Sequence, residues 1–181
     1  AASDVYKRQE YRLVEGHGTI GLEIMEDAPE TETIFVPVGA GLLGAGVSLA
    51  AKALKPSVRI IGANSMSVPH YYESLKQGRP VMVERNPTLA DGISGGFVTE
   101  DSLQLVRDTI DDVVLVSEDQ MKKAIRYLAL ENKLVVEGAG AASLAAALQT
   151  PKEVRGKTVC VISGGSIDSD KLSEIIGNCE R

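Results

Sequence analysis

The sequence predicts an α/β fold, a doubly wound and mostly parallel sheet with helices on both faces. Three observations predict it. Short β-rich runs recur at residues 33–38, 58–63, 112–116 and 158–162. Segments with helical spacing separate them, and strands that alternate with helices form parallel sheets. Two of the runs lead straight into small-residue loops, Gly39-Ala40-Gly41 and Ser163-Gly164-Gly165.

The elements follow in order. Residues 1–9 (AASDVYKRQ) lack the apolar core and small-residue cleavage site of a signal peptide. They read as a tail or sequence scar, with the natural polypeptide continuing upstream of Glu10. Residues 18–27 carry Ile20, Leu22, Ile24 and Met25 at spacings that suit a short helix. The run TIFVPV at 33–38 is the first strand. Residues 42–54 form an Ala/Leu/Gly helix that stops at Lys55-Pro56. VRIIGA at 58–63 is the second strand, and 71–76 is a short helix. Residues 89–93 lead into a loop at Gly95-Gly96. A helix at 102–109 precedes the third strand, DVVLV. Ser117 then opens a helix to about Asn132, with Asp119 and Gln120 in its first turn. A small-residue helix at 141–148 comes before the last strand. No repeat or low-complexity linker intervenes, so residues 10–181 read as one α/β unit.

Composition narrows the function. The 181 residues are 44% hydrophobic and 24% charged, enough for a real core in a globular chain. No run of 18 apolar residues exists, so no membrane span is expected. Lys+Arg number 19 against 25 Asp+Glu, and the net charge of −6 argues against nucleic-acid or anionic-membrane partners. Cys160 and Cys179 do not make a disulfide scaffold, which fits a reducing cytoplasm. Tryptophan is absent and aromatics are 4%, so base or carbohydrate stacking is not expected.

The strongest local signal is the first glycine loop. A buried strand runs into Gly39-Ala40-Gly41-Leu42-Leu43-Gly44 and a helix opens there. Free backbone N–H groups and the helix dipole then converge on one spot, which suits a phosphate. A tight turn without a ligand would use the same residues. Two ligand classes compete. Gly39-x-Gly41-x-x-Gly44 matches the dinucleotide fingerprint, the mark of a Rossmann-like NAD(P)-binding module. That reading needs an acid near the end of the second strand, and this strand runs into Asn64, with no acid before Glu73. The other class is pyridoxal phosphate. Its phosphate would use the same loop, and Ser163, at the end of the last strand, could bond the ring nitrogen. Ser163 could equally cap a helix.

Five stretches, in order, resemble the serine/threonine dehydratase (threonine ammonia-lyase) family. They are Gly16 to Glu23 (GHGTIGLE), Val36 to Leu43 (VPVGAGLL), Thr88 to Ile93 (TLADGI), Val135 to Ala141 (VVEGAGA) and Ser163 to Asp168 (SGGSID). The resemblance covers about residues 10–177. It implies the tryptophan-synthase-β fold type (fold type II), pyridoxal 5'-phosphate as cofactor, and elimination of water from L-threonine or L-serine to give a 2-oxo acid and ammonia. It implies a homo-oligomeric parent, dimer or tetramer. It also assigns the phosphate loop to Gly39, Ala40, Gly41, Leu42 and Leu43, the ring-nitrogen partner to Ser163, and the pocket lining to Gly92 and Glu137.

The departures from the family are as informative. Its loop commonly has four glycines, and Ala40 and Leu42 replace two of them. Any such position that needs a positive φ would be strained. Ser166 stands where asparagine is common. Some members hold a divalent cation on acids that correspond to Asn64 and His70, so no such metal site is expected. His70 reads as a surface or loop histidine, and His17 as structural. The family's Schiff-base lysine lies in a Ser-Phe-Lys-type motif well before the glycine loop. Lys7, Lys52, Lys55 and Lys76 do not stand in that context. The chain therefore reads as the later part of a catalytic core, inactive alone, without the lysine segment and most of the small domain.

Overall fold

The computed structural model describes residues 2–95 and 98–177, with side chains from Tyr11 onward. Four strands make one sheet: β1 (Thr33–Pro37), β2 (Arg59–Ser65), β3 (Asp112–Val116) and β4 (Thr158–Cys160). All pairings are parallel and the order is β3-β2-β1-β4. The register sets Ile34 beside Ile60 on one side of β1 and beside Val159 on the other.

Central β1 is buried throughout because both faces of the sheet are covered. Alternate residues enter different cores. Ile34 and Val36 meet Val47 and Ala51 of α2 (Leu42–Leu54), Tyr71 of α3 (His70–Gln77) and Leu103 and Val106 of α4 (Glu100–Thr109). Met25 of α1 (Ala2–Asp27) closes that face. Phe35 points the other way. It meets Met121, Ala124 and Ile125 of α5 (Glu118–Glu131) and the alanines of α6 (Gly138–Gln149), with Ile175 of α8 (Ser169–Gly177) at the margin.

The connections explain the order. From β1 the chain steps outward through α2 to β2, then through α3 and α4 to β3. It then returns through α5, α6 and the single turn α7 (Lys152–Arg155) to place β4 on the far side of β1. The winding direction reverses between β1 and β4. In such sheets ligands collect outside the carboxyl ends of the strands at that reversal.

Several elements differ from the sequence pattern. Helix α1 starts at Ala2, so it runs through residues 2–9, where the pattern predicts a tail. Helix α6 starts at Gly138, ahead of 141. Strand β4 ends at Cys160, although Val161 N–H still donates to Phe35 O at 2.9 Å. Helix α8 carries no expectation at all. The segment 89–93 holds a 3₁₀ turn at Asp91–Ile93 before the expected loop; Gly95 is irregular there, and Gly96 lies outside the described residues.

Candidate functional site

The loop after β1 enters α2 through Gly41, whose φ is 85°. Only glycine adopts that conformation without strain. Neither Ala40 nor Leu42 has a positive φ, so the strain expected at the replaced glycines does not arise. Among the described residues, the N–H groups of Ala40, Gly41, Leu42 and Leu43 find no protein acceptor. No side chain caps this end of α2, and its first turn carries no acid. Four free amides and a helix terminus free of negative charge suit an oxyanion.

Ser163 hangs from the neighbouring strand. It follows β4 and is exposed. No helix opens at Ser163, since α8 begins only at Ser169, so it is not a helix cap. Ser163 and Leu43 line the same cleft, of about 490 Å³, together with His17, Ile20, Ile24 and residues 159–162. His17 is partly buried on α1, and its Nδ1 has no hydrogen-bond partner.

Glu137 holds the second loop in place. It precedes α6, and its N–H donates to Gly164 O at 3.1 Å. Its Oε2 accepts the Ser166 N–H at 2.8 Å. A Cβ on Gly164 would stand 2.5 Å from Glu137 Oε1, so a side chain there would push the Glu137 carboxylate aside. Gly92 closes the circle. A Cβ there would lie 3.3 Å from Glu137 Oε1, and one on Gly39 would lie 3.3 Å from Gly92 O. Gly39, Gly92, Glu137 and the Ser163–Ser166 loop are thus contiguous at one end of the sheet.

Three further residues build this end, and the sequence pattern assigns none of them this role. The Glu118 carboxylate accepts from Ser67 Oγ at 2.9 Å, Thr88 Oγ1 at 2.6 Å and Leu89 N–H at 2.8 Å. It ties the start of α5 to the loop that carries Gly92. His70 is 1% exposed, which corrects the expectation of a surface or loop histidine. Its Nδ1 lies 2.8 Å from Val68 O and its Nε2 lies 3.1 Å from Gly39 O. Tyr71, also 1% exposed, donates its hydroxyl to Ala40 O at 2.9 Å.

The competing ligand lacks its partner. β2 closes on Asn64 and Ser65, both fully buried, with no acid for a ribose hydroxyl. Asn64 Nδ2 instead donates to Val38 O at 3.3 Å. The later lysines are engaged elsewhere. Lys52 pairs with Asp111 at 2.8 Å, and Lys55 donates to Thr31 O at 2.8 Å. Among the described residues no lysine lines the cleft of Leu43 and Ser163.

Comparison with known proteins agrees with this geometry. The chain is 45% identical over 165 residues to an L-threonine ammonia-lyase of Thermotoga maritima, covering 91% of this chain and 41% of that protein. The structure superposes on maize serine racemase with a TM-score of 0.81 at 34% identity, over 89% of this chain and 50% of that one. It superposes on the processed form of threonine deaminase isoform 2 from Solanum lycopersicum with a TM-score of 0.84 at 30% identity, over 93% and 50%. The chain spans about half the length of the curated relatives it matches. The profile of the family described as "Pyridoxal-phosphate dependent enzyme" matches residues 3–165. With a loop of free amides at one strand end and a serine at the next, the chain belongs to that family of pyridoxal-phosphate dependent enzymes.

Proposed function

We propose that this chain is the later part of the catalytic domain of a pyridoxal-phosphate-dependent ammonia-lyase. Its substrate is L-threonine, L-serine or a related hydroxy amino acid, and its products are a 2-oxo acid and ammonia. The observation that carries this reading is the pair of loops at the carboxyl ends of β1 and β4, adjacent strands at the reversal of the sheet. The names of the relatives support the reaction class.

The residues present fit the cofactor. The free amides of Ala40, Gly41, Leu42 and Leu43, with Gly39 before them, would hold its phosphate. Ser163 would bond the ring nitrogen through its hydroxyl. A hydroxyl partner leaves that nitrogen largely without a proton, whereas a carboxylate would favour one. Gly92 and Glu137 would line the ring pocket, with Glu137 holding the Ser163 loop still. When bound, the cofactor supplies an electron sink for loss of the Cα proton and the β-hydroxyl. The amine that holds it covalently, and the base for Cα–H, come from a lysine outside the described residues. The chain alone is therefore inactive, and the parent works as a cytoplasmic homo-oligomer, dimer or tetramer.

Two assays test this. The 181-residue chain with added pyridoxal phosphate should release no ammonia from L-threonine or L-serine. Release by the chain alone would overturn its inactivity. A full-length parent that shows neither the cofactor's visible absorbance nor ammonia release would overturn the reaction class.

A further inference from the structure

Two side chains at the start of α3 reach back across the sheet end to the phosphate loop. His70 Nε2 is 3.1 Å from the Gly39 carbonyl oxygen, and the Tyr71 hydroxyl donates to the Ala40 carbonyl at 2.9 Å. Both partners are carbonyls, which only accept, so the Gly39 contact is a hydrogen bond in the ring form that carries hydrogen on Nε2, while Val68 O, 2.8 Å from Nδ1, is a second accept-only neighbour that competes for that hydrogen. In a trans peptide the C=O of one residue and the N–H of the next point in opposite directions. Drawing the Gly39 carbonyl toward α3 therefore turns the Ala40 N–H away from it. Drawing the Ala40 carbonyl toward α3 does the same to the Gly41 N–H. These are two of the amides that find no acceptor among the described residues.

We infer that His70 and Tyr71 are positioning residues that aim two successive amides of the loop, Ala40 N–H and Gly41 N–H, at the phosphate of the ligand. The inference rests on the cofactor reading above and adds to it the device that orients the loop. A glycine-containing loop can flip its peptides. A flipped peptide would present a carbonyl oxygen to the anion instead of a donor. The two bonds from α3 hold both peptide planes in the donating sense. The start of α3 is itself anchored, because Tyr72 N–H donates to Asn64 Oδ1 at 3.3 Å at the end of β2. The His70 and Tyr71 rings also pack against each other, with centroids 5.1 Å apart.

The test separates the phosphate from the rest of the ligand. Pyridoxine 5'-phosphate and pyridoxine are titrated calorimetrically into the 181-residue chain and into Tyr71→Phe, His70→Met and His70→Gln. Neither probe carries an aldehyde, so surface lysines do not react. Tyr71→Phe and His70→Met should each weaken the phosphorylated probe by about 3- to 10-fold, the worth of one lost hydrogen bond. Pyridoxine should bind all variants alike. His70→Gln keeps an N–H donor within reach and should recover most of the loss. The ¹⁵N resonances of the His70 ring should show hydrogen on Nε2. If His70→Met does not fold, Tyr71→Phe decides, since it removes one oxygen atom. Equal losses for both probes, or no loss for the phosphorylated one, would overturn the inference alone. A wild-type chain that does not prefer the phosphorylated probe would overturn the cofactor reading and this inference together.

Discussion

Cys160 shows how a residue in the wall of the cleft is tuned by its surroundings. Burial in β4 pushes its thiol up from 9.0 to about 11, and the Arg155 guanidinium offsets only part of that. Desolvation disfavours the thiolate, the nucleophilic form. In a Cys179→Ser background, Cys160 should therefore resist iodoacetamide at pH 8 in the native chain and react once the chain is unfolded in urea. Fast native alkylation would contradict the assignment. The sign of the stability effect follows. The folded state holds the proton more tightly than the unfolded state, so the contribution is complete below pH 9 and is lost as pH rises toward 11. The loss is on the order of 2 kcal/mol. Residue-scale chemistry was only partly legible in the sequence. Ser163 and the Gly39–Leu43 loop stand where a strand gives way to small residues, so their positions follow from local pattern. His70 and Tyr71 act on carbonyls 31 residues earlier in the chain, and no local spacing encodes a contact of that kind.

The elements tell a similar story about what a pattern can carry. Ser117 and Gln120 form a reciprocal cap at the start of α5, and that helix was legible from this signature. Thr99 and Ser102 form the same kind of cap on α4, but a serine in the third position hides the signal, and the helix starts earlier than its apolar residues suggest. Helix α8 carries Leu172, Ile175 and Ile176 at helical spacing, so its period was present in the sequence although only Ile175 is fully buried. The Glu118 clamp belongs at this scale, because it joins α5 to the loop of Thr88 and Leu89 through three accepted bonds. Glu118→Ala should lower stability by about 2–3 kcal/mol in urea unfolding, since it strands Ser67, Thr88 and the Leu89 amide together. Glu118→Gln should cost less. An alanine variant as stable as the wild type would show that water replaces the clamp without loss.

At the scale of the whole molecule, the sheet has an open side. Among the described residues β4 pairs only with β1, and residues 159–163 line the cleft beside α1. Val159, Cys160 and Ile162 are half-buried there. An unpaired edge beside apolar side chains is a template for further strands. The isolated chain should therefore self-associate, and light scattering should give a mass above the 19.2 kDa of one chain. A stable, discrete monomer at high concentration would refute this. The doubly wound parallel sheet and the two small-residue loops were legible from the sequence. The open edge was not, because a strand's partners are set by segments far from it in sequence.

The reversal between β1 and β4 also sets the order in which the pocket comes into being. Thr33 pairs with Thr158, so the wall that carries Ser163 joins the wall that carries Gly39 across more than half the length of the chain. Emerging from a ribosome, the phosphate loop, α2 and β2 can form early from near neighbours. The serine wall cannot dock until β4 has been made, and closing so long a stretch of chain is slow. A polypeptide halted before residue 158 would hold one half of a binding site and wait for the other.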